Sequence, residues 1–114
     1  MFIKKNNLND LGKLNYHIHD KWFDVEKIAF DNIKREFRLF FGDTKESYDE
    51  CLKITGVSKC SILDTEKVGV YDIYQISVDE QTSEICIEGC IPIKIVLNVS
   101  KDFEISVSKT NTND

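Results

Sequence analysis

Near the C-terminal end, apolar side chains recur at every second position. Ile93, Ile95, Leu97 and Val99 alternate with Lys94, Val96, Asn98 and Ser100, and then Phe103, Ile105 and Val107 alternate with Glu104, Ser106 and Ser108. An extended chain puts successive side chains on opposite faces, so this spacing commits the segment to strands with one buried side. It predicts a strand pair, with Ser100-Lys101-Asp102 as the hairpin loop. Upstream, Ile85 and Ile87 alternate with Cys86 and Glu88 until Gly89 and the sole proline, Pro92, interrupt the run. A bulge or bend is expected there, on an edge strand or at a corner. Two further strands fit Asp72–Val78, with Tyr74, Ile76 and Val78 on one face, and Cys51–Val57.

The segment from Asp20 to Gly42 has two readings. As a hairpin, Trp22–Phe30 pairs with Ile33–Phe41 across Asp31-Asn32, and Ile33, Phe37, Leu39 and Phe41 share a face. The first arm changes phase between Val25 and Ile28, which calls for a bulge near Glu26. As a helix, Asp20 caps the start, Gly42 the end, and Trp22, Ala29, Phe30, Ile33, Phe37 and Phe40 form a stripe. The aromatic and β-branched content favours the hairpin.

At 114 residues the chain has the usual size of one domain, 1–114, and can bury a core without disulfides or metals. Leu8, Leu11 and Leu14 suggest a short helix or an ordered arm over residues 1–15, and polar residues 109–114 read as a frayed tail. The expected fold is mostly β: a small antiparallel sandwich or open barrel of six or seven strands with a short N-terminal helix or arm. The alternative is an α+β fold with a helix at 21–41 packed on the sheet.

The formal net charge is -5, and the basic residues are scattered along the sequence. Nucleic acid is not an expected partner, because phosphate binding needs a basic patch. A partner drawn by electrostatics would be basic. The N-terminus does not read as a signal peptide and no run of apolar residues is long enough to span a membrane. Those features point to the cytoplasm, where four cysteines are thiols.

Both histidines fall in His17-Ile18-His19-Asp20. On an extended segment His17 and His19 would face the same way about 6.5 Å apart, as two ligands of one metal do, with Asp20 beside them. The structural alternative is preferred: Asp20 opens a turn or caps a helix while a histidine bonds nearby backbone. Cys51 with Cys60, and Cys86 with Cys90, are poorly spaced for a zinc knuckle and read as small apolar residues on sheet faces. No phosphate loop, nucleophile elbow or zinc-protease motif is present, no catalytic residue is assigned, and nothing calls for a cofactor. Aromatic side chains can supply a binding surface instead, and Trp22, Phe40 and Tyr71 are the candidates for a contact with a protein partner or a second copy of the chain.

From Ile18-His19-Asp20 through Phe23, Ile28, Phe30, Phe37 and Leu39 to Leu52-Lys53-Ile54-Thr55-Gly56-Val57, the chain resembles a loose group of small bacterial proteins. In that group a His-Asp pair precedes a first β-hairpin and a later strand ends in Gly-Val. Some members resemble immunity proteins of toxin systems. The resemblance implies a small β-rich binding protein without catalytic residues, and it assigns no site. The long lead before His19 and the four cysteines depart from the pattern. The resulting expectation is a non-enzymatic protein-binding domain, of immunity-inhibitor type and directed at a basic partner. The alternative is a metal-binding module or metal-dependent enzyme built on His17, His19 and Asp20.

Overall fold

The computed structural model describes residues 2–110. In chain order the elements are β1 (Phe2–Lys4), a 3-10 segment (Lys5–Asp10), α1 (Leu11–Ile18), β2 (Trp22–Asp24), a 3-10 turn (Val25–Lys27), β3 (Ala29–Asp31), β4 (Glu36–Gly42), β5 (Glu50–Leu63), β6 (Val70–Asp79), β7 (Glu84–Gly89) and β8 (Lys94–Lys109). All pairings are antiparallel. Strands run in the order β8-β5-β4-β2-β6-β7, and β7 returns to β8, so six strands close a ring. β1 adds to β8 and β3 to β4. The fold is therefore the mostly β architecture expected, in its barrel form, with eight strands among the described residues rather than six or seven.

The hairpin reading of 20–42 holds and the helix at 21–41 is absent. Phe30 pairs with Phe37 and Phe23 with Phe41, while the Val25–Lys27 turn absorbs the change of phase near Glu26. Phe37, Leu39 and Phe41 are fully buried, each contributing roughly 1.5–3 kcal/mol of apolar burial. Ile33 does not join them: it sits in the β3–β4 loop and is 91% exposed. That loop and the β6–β7 loop are built alike. Asp31 accepts from the N–H groups of Ile33 and Lys34, Asp79 from those of Gln81 and Thr82, and Arg35 and Ser83 take left-handed conformations before each return strand.

The expected hairpin at 93–107 is instead one strand. β8 runs through Ser100-Lys101-Asp102 and pairs with β5 on both sides of it, Val57 with Val99 and Thr55 with Glu104. The irregularity is accommodated by Gly56, at φ +80°, where a Cβ would stand 2.8 Å from Ser100 Oγ and 3.1 Å from Phe103 Cα. A second bulge, between Ile73 and Gln75 in β6, reverses phase and turns Tyr74 outwards. Tyr74, Ile76 and Val78 therefore do not share a face as expected; Ile76 packs in the core with Tyr71 and Ile73.

The N-terminal helix begins later than expected and runs to Ile18, so it carries His17. Leu14 and Ile18 anchor it in a core that also takes Ile3 from β1. Of the polar tail placed at 109–114, Lys109 ends β8 and the Thr110 N–H donates to the Asp49 carbonyl at 2.8 Å. The rest of that tail lies outside the described residues. No helix is long and apolar enough to cross a membrane among the described residues.

Candidate functional site

The junction between α1 and β2 is where the sequence concentrates its histidines, and the fold splits this segment between two surroundings. Helix α1 ends as the His19 N–H donates to the Asn15 carbonyl at 2.9 Å. Asp20 then takes a left-handed conformation, φ 67°. Its N–H donates to the Ile73 carbonyl at 2.9 Å, and the Ile73 N–H donates to the Lys21 carbonyl at 2.8 Å, starting the β2–β6 pairing. Asp20 thus makes the turn foreseen for it.

His17 and Lys21 turn towards β4 and β5. Nε2 of His17 lies 2.6 Å from Oε1 of Glu50, and its ring meets Phe41 edge-on at 6.1 Å. Glu50, 5% exposed, is a carboxylate on the inward face that Leu52 and Ile54 continue. Lys21 Nζ pairs with Asp43 and lies 3.9 Å from Glu50 Oε2. Hydrogen bonding to Asp43 raises the Lys21 pKa against the opposing effect of burial, and the same bond lowers that of Asp43. These groups form an ionic plug where the helix meets the barrel wall. No hydroxyl or thiol among the described residues is hydrogen-bonded to His17.

His19 and Asp20 turn the other way, towards β6 and the β7–β8 turn. Nδ1 of His19 lies 3.0 Å from the Tyr74 carbonyl, and Nε2 is 3.5 Å from Asp20. Side-chain oxygens of Asp20 and Asp72 and the sulfur of Cys90 all lie within 4.8 Å of one another. Gly89 makes this possible, because a Cβ there would stand 2.8 Å from the carbonyl oxygens of both Asp72 and Ile91. Asp72 also accepts from the Ile91 N–H at 3.2 Å. The Cys90 thiol pKa is raised, by desolvation first and then by its hydrogen bond to Asp72. No lysine or arginine among the described residues pairs with Asp20 or Asp72. Tyr74, 51% exposed, borders the cluster through His19, and Tyr16 stands exposed one helical turn before His19.

His17 and His19 therefore do not act on one point: of that trio only Asp20 joins a ligand-like group, with Asp72 and Cys90 as companions. A group of three from positions 20, 72 and 90 leaves no local trace in a sequence. Glu50 did leave one, since it continues the even-numbered inward parity of Leu52 and Ile54. Of the aromatic candidates, Trp22 and Phe40 are half-buried and face outwards, Trp22 beneath Lys45 Nζ at 4.6 Å. Tyr71 offers no surface. It is fully buried, stacked on Phe23 at 5.9 Å, with its hydroxyl donating to Asp64. All four cysteines are free, and burial raises the pKa of Cys51, Cys60 and Cys86. No three of them gather in one ligand-like group among the described residues.

Neither a protein-family model nor a curated protein matches the chain.

Proposed function

We propose that this chain is a non-enzymatic protein-binding domain, of immunity-inhibitor type, that engages a basic partner through the patch formed by Asp20, Asp72, His19 and Tyr74. One observation carries the reading: two carboxylates are held together at the surface, with no lysine or arginine among the described residues paired to them, beside a half-exposed tyrosine. A lysine or arginine from a partner would neutralise the pair, and tyrosine adds a face on which a cation rests favourably. The free thiols agree with work in a reducing compartment such as the cytoplasm.

The test is an affinity pull-down of the tagged protein from its host lysate, read by mass spectrometry and followed by a salt titration of the complex. The reading requires one stoichiometric basic partner whose affinity falls with salt and drops about tenfold or more in Asp20→Asn/Asp72→Asn. A neutral or acidic partner, no partner, or self-association alone would defeat it. The second reading is a metal module, now resting on Asp20, Asp72 and Cys90. Two carboxylates and a thiol suit a divalent cation, provided the metal displaces the proton from Cys90. Metal analysis of the same sample decides it, since stoichiometric metal lost on Cys90→Ser and Asp72→Asn would replace the first reading.

A further inference from the structure

Strand β5 outruns its neighbour. β4 pairs with it only as far as Thr55, whereas β8 follows it to Leu63. On the side where β4 stops, the Val57 N–H donates to the Arg35 carbonyl at 3.0 Å. From Ser58 to Leu63 no further backbone partner lies on that side among the described residues. An open strand edge of this kind is a template for another strand. Its surroundings are apolar. Ile62 and Leu63 are exposed, and so are Ile33, in the loop that Arg35 ties to Val57, and Val68, in the loop after β5. Among the described residues, every large aliphatic side chain that is exposed belongs to this edge or to the loops at its two ends; the other exposed apolar residues, Phe2, Tyr16 and Tyr74, are aromatic.

We infer that this edge pairs antiparallel with the same edge of a second copy of the chain, about a two-fold axis at Cys60. The segment is matched to itself. Between Val57 and Leu63 its single charge is Lys59. An axis at Cys60 sets Lys59 against Ser61 of the second copy and Ser58 against Ile62. An axis at Lys59 would oppose two cations, and one at Ser61 would set Lys59 against Leu63. Facing agrees as well. Cys60 stands opposite buried Leu97 and so lies on the inner side, while Lys59 and Ser61, opposite Asn98 and Val96, lie on the outer one. Because Arg35 already occupies the Val57 N–H, the new ladder ends there, and the loop carrying Ile33 comes beside Leu63 of the second copy. An unrelated strand would satisfy the same backbone groups; the aliphatic residues at both ends, with polar ones between them, are what select a second copy. The inference uses other residues than the Asp20–Asp72 patch and stands independently of it.

Sedimentation equilibrium over micromolar to submillimolar concentrations tests it. A monomer–dimer equilibrium is expected, tightening as salt screens the net charge of -5 on each copy, whereas salt weakens a complex with a basic partner. Ser61→Lys would face Lys59 on both sides of the axis and should weaken the dimer about fivefold or more, while Ser61→Glu gives Lys59 a carboxylate and should tighten it. If Ser61→Lys does not fold, Ser61→Glu decides alone, and a dimer it leaves unchanged or weakens overturns the inference. The two Cys60 thiols would stand within disulfide reach. Diamide, which takes one hydrogen from each thiol, should cross-link Cys90→Ser protein and not Cys60→Ser/Cys90→Ser. The inference is overturned by a monomer across the whole range, by a dimer indifferent to both Ser61 variants, or by a dimer that Cys60 does not cross-link.

Discussion

Asn15 on α1 takes the place of a missing strand at Ile76 of β6. Its amide nitrogen donates to the Ile76 carbonyl at 2.9 Å, and its amide oxygen accepts from the Ile76 N–H at 2.7 Å. The β2–β6 pairing stops at Ile73, so without Asn15 both groups of Ile76 would be left unpaired beneath the helix. Asn15→Ala should therefore destabilise the protein by about 1–3 kcal/mol in chemical denaturation. Asn15→Asp keeps the acceptor and loses the donor, so it should fall between the two. Unchanged stability in both variants would mean that the helix is held by Leu14 and Ile18 alone.

Glu50 gives a second prediction through non-additivity. His17→Ala leaves a buried carboxylate with Lys21 as its remaining cationic neighbour, 3.9 Å away, and should cost about 1–3 kcal/mol. Adding Glu50→Leu should recover most of that loss, because the new side chain continues the apolar row of Leu52 and Ile54. Simple addition of the two single-variant losses in urea melts would show that the pair is not coupled.

The strand content and the 20–42 hairpin were legible because side-chain period depends only on local geometry. Ring closure was not, since nothing local says that β7 returns to β8 or that β2 lies between β4 and β6. The error at 100–102 is instructive. Buried positions from Ile93 to Phe103 and Ile105 keep one odd parity throughout, as one continuous strand does, yet Ser-Lys-Asp has the composition of a turn. The bulge at Ile73 misled in the other direction, because an extra residue reverses parity without any compositional sign. At the candidate site, the turn at Asp20 was readable, while its companions Asp72 and Cys90 are brought near by strand order and by the missing Cβ of Gly89.

Two glycines should respond to alanine with opposite signs. At Gly42 a Cβ would stand 1.9 Å from the Ser47 carbonyl oxygen, so Gly42→Ala must displace the β4–β5 loop and should cost about 1–3 kcal/mol. At Gly12, exposed on α1, nothing lies within 4 Å, and Gly12→Ala should stabilise by about 0.5–1 kcal/mol through helix propensity. Urea midpoints moving in the same direction for both would contradict the local geometry of one of them.

The Tyr71–Asp64 pair predicts how stability depends on pH. The Tyr71 hydroxyl donates to Asp64 and accepts from the Val68 N–H at 3.1 Å, tying the 64–69 loop to the core. That bond, followed by the Lys67 N–H, holds the Asp64 carboxyl below its ordinary pKa, so the folded state favours the ionised form. Its contribution is present above the usual carboxylate range and is lost as pH falls through the lowered folded value. Burial, then the Asp64 bond, pushes the Tyr71 phenol up, so its contribution is present below the ordinary tyrosine range and is lost as pH rises towards the raised value. Asp31, lowered by the Lys34 N–H, and Asp43, lowered by Lys21, add to the acid side alone. Tyr71→Phe should therefore flatten the fall in stability between about pH 5 and pH 2 only in part, yet remove Tyr71's share of the alkaline loss completely. Denaturation midpoints measured across both limbs decide the point: identical acid slopes for Tyr71→Phe and the parent would show that the Tyr71 bond is not what lowers the Asp64 pKa.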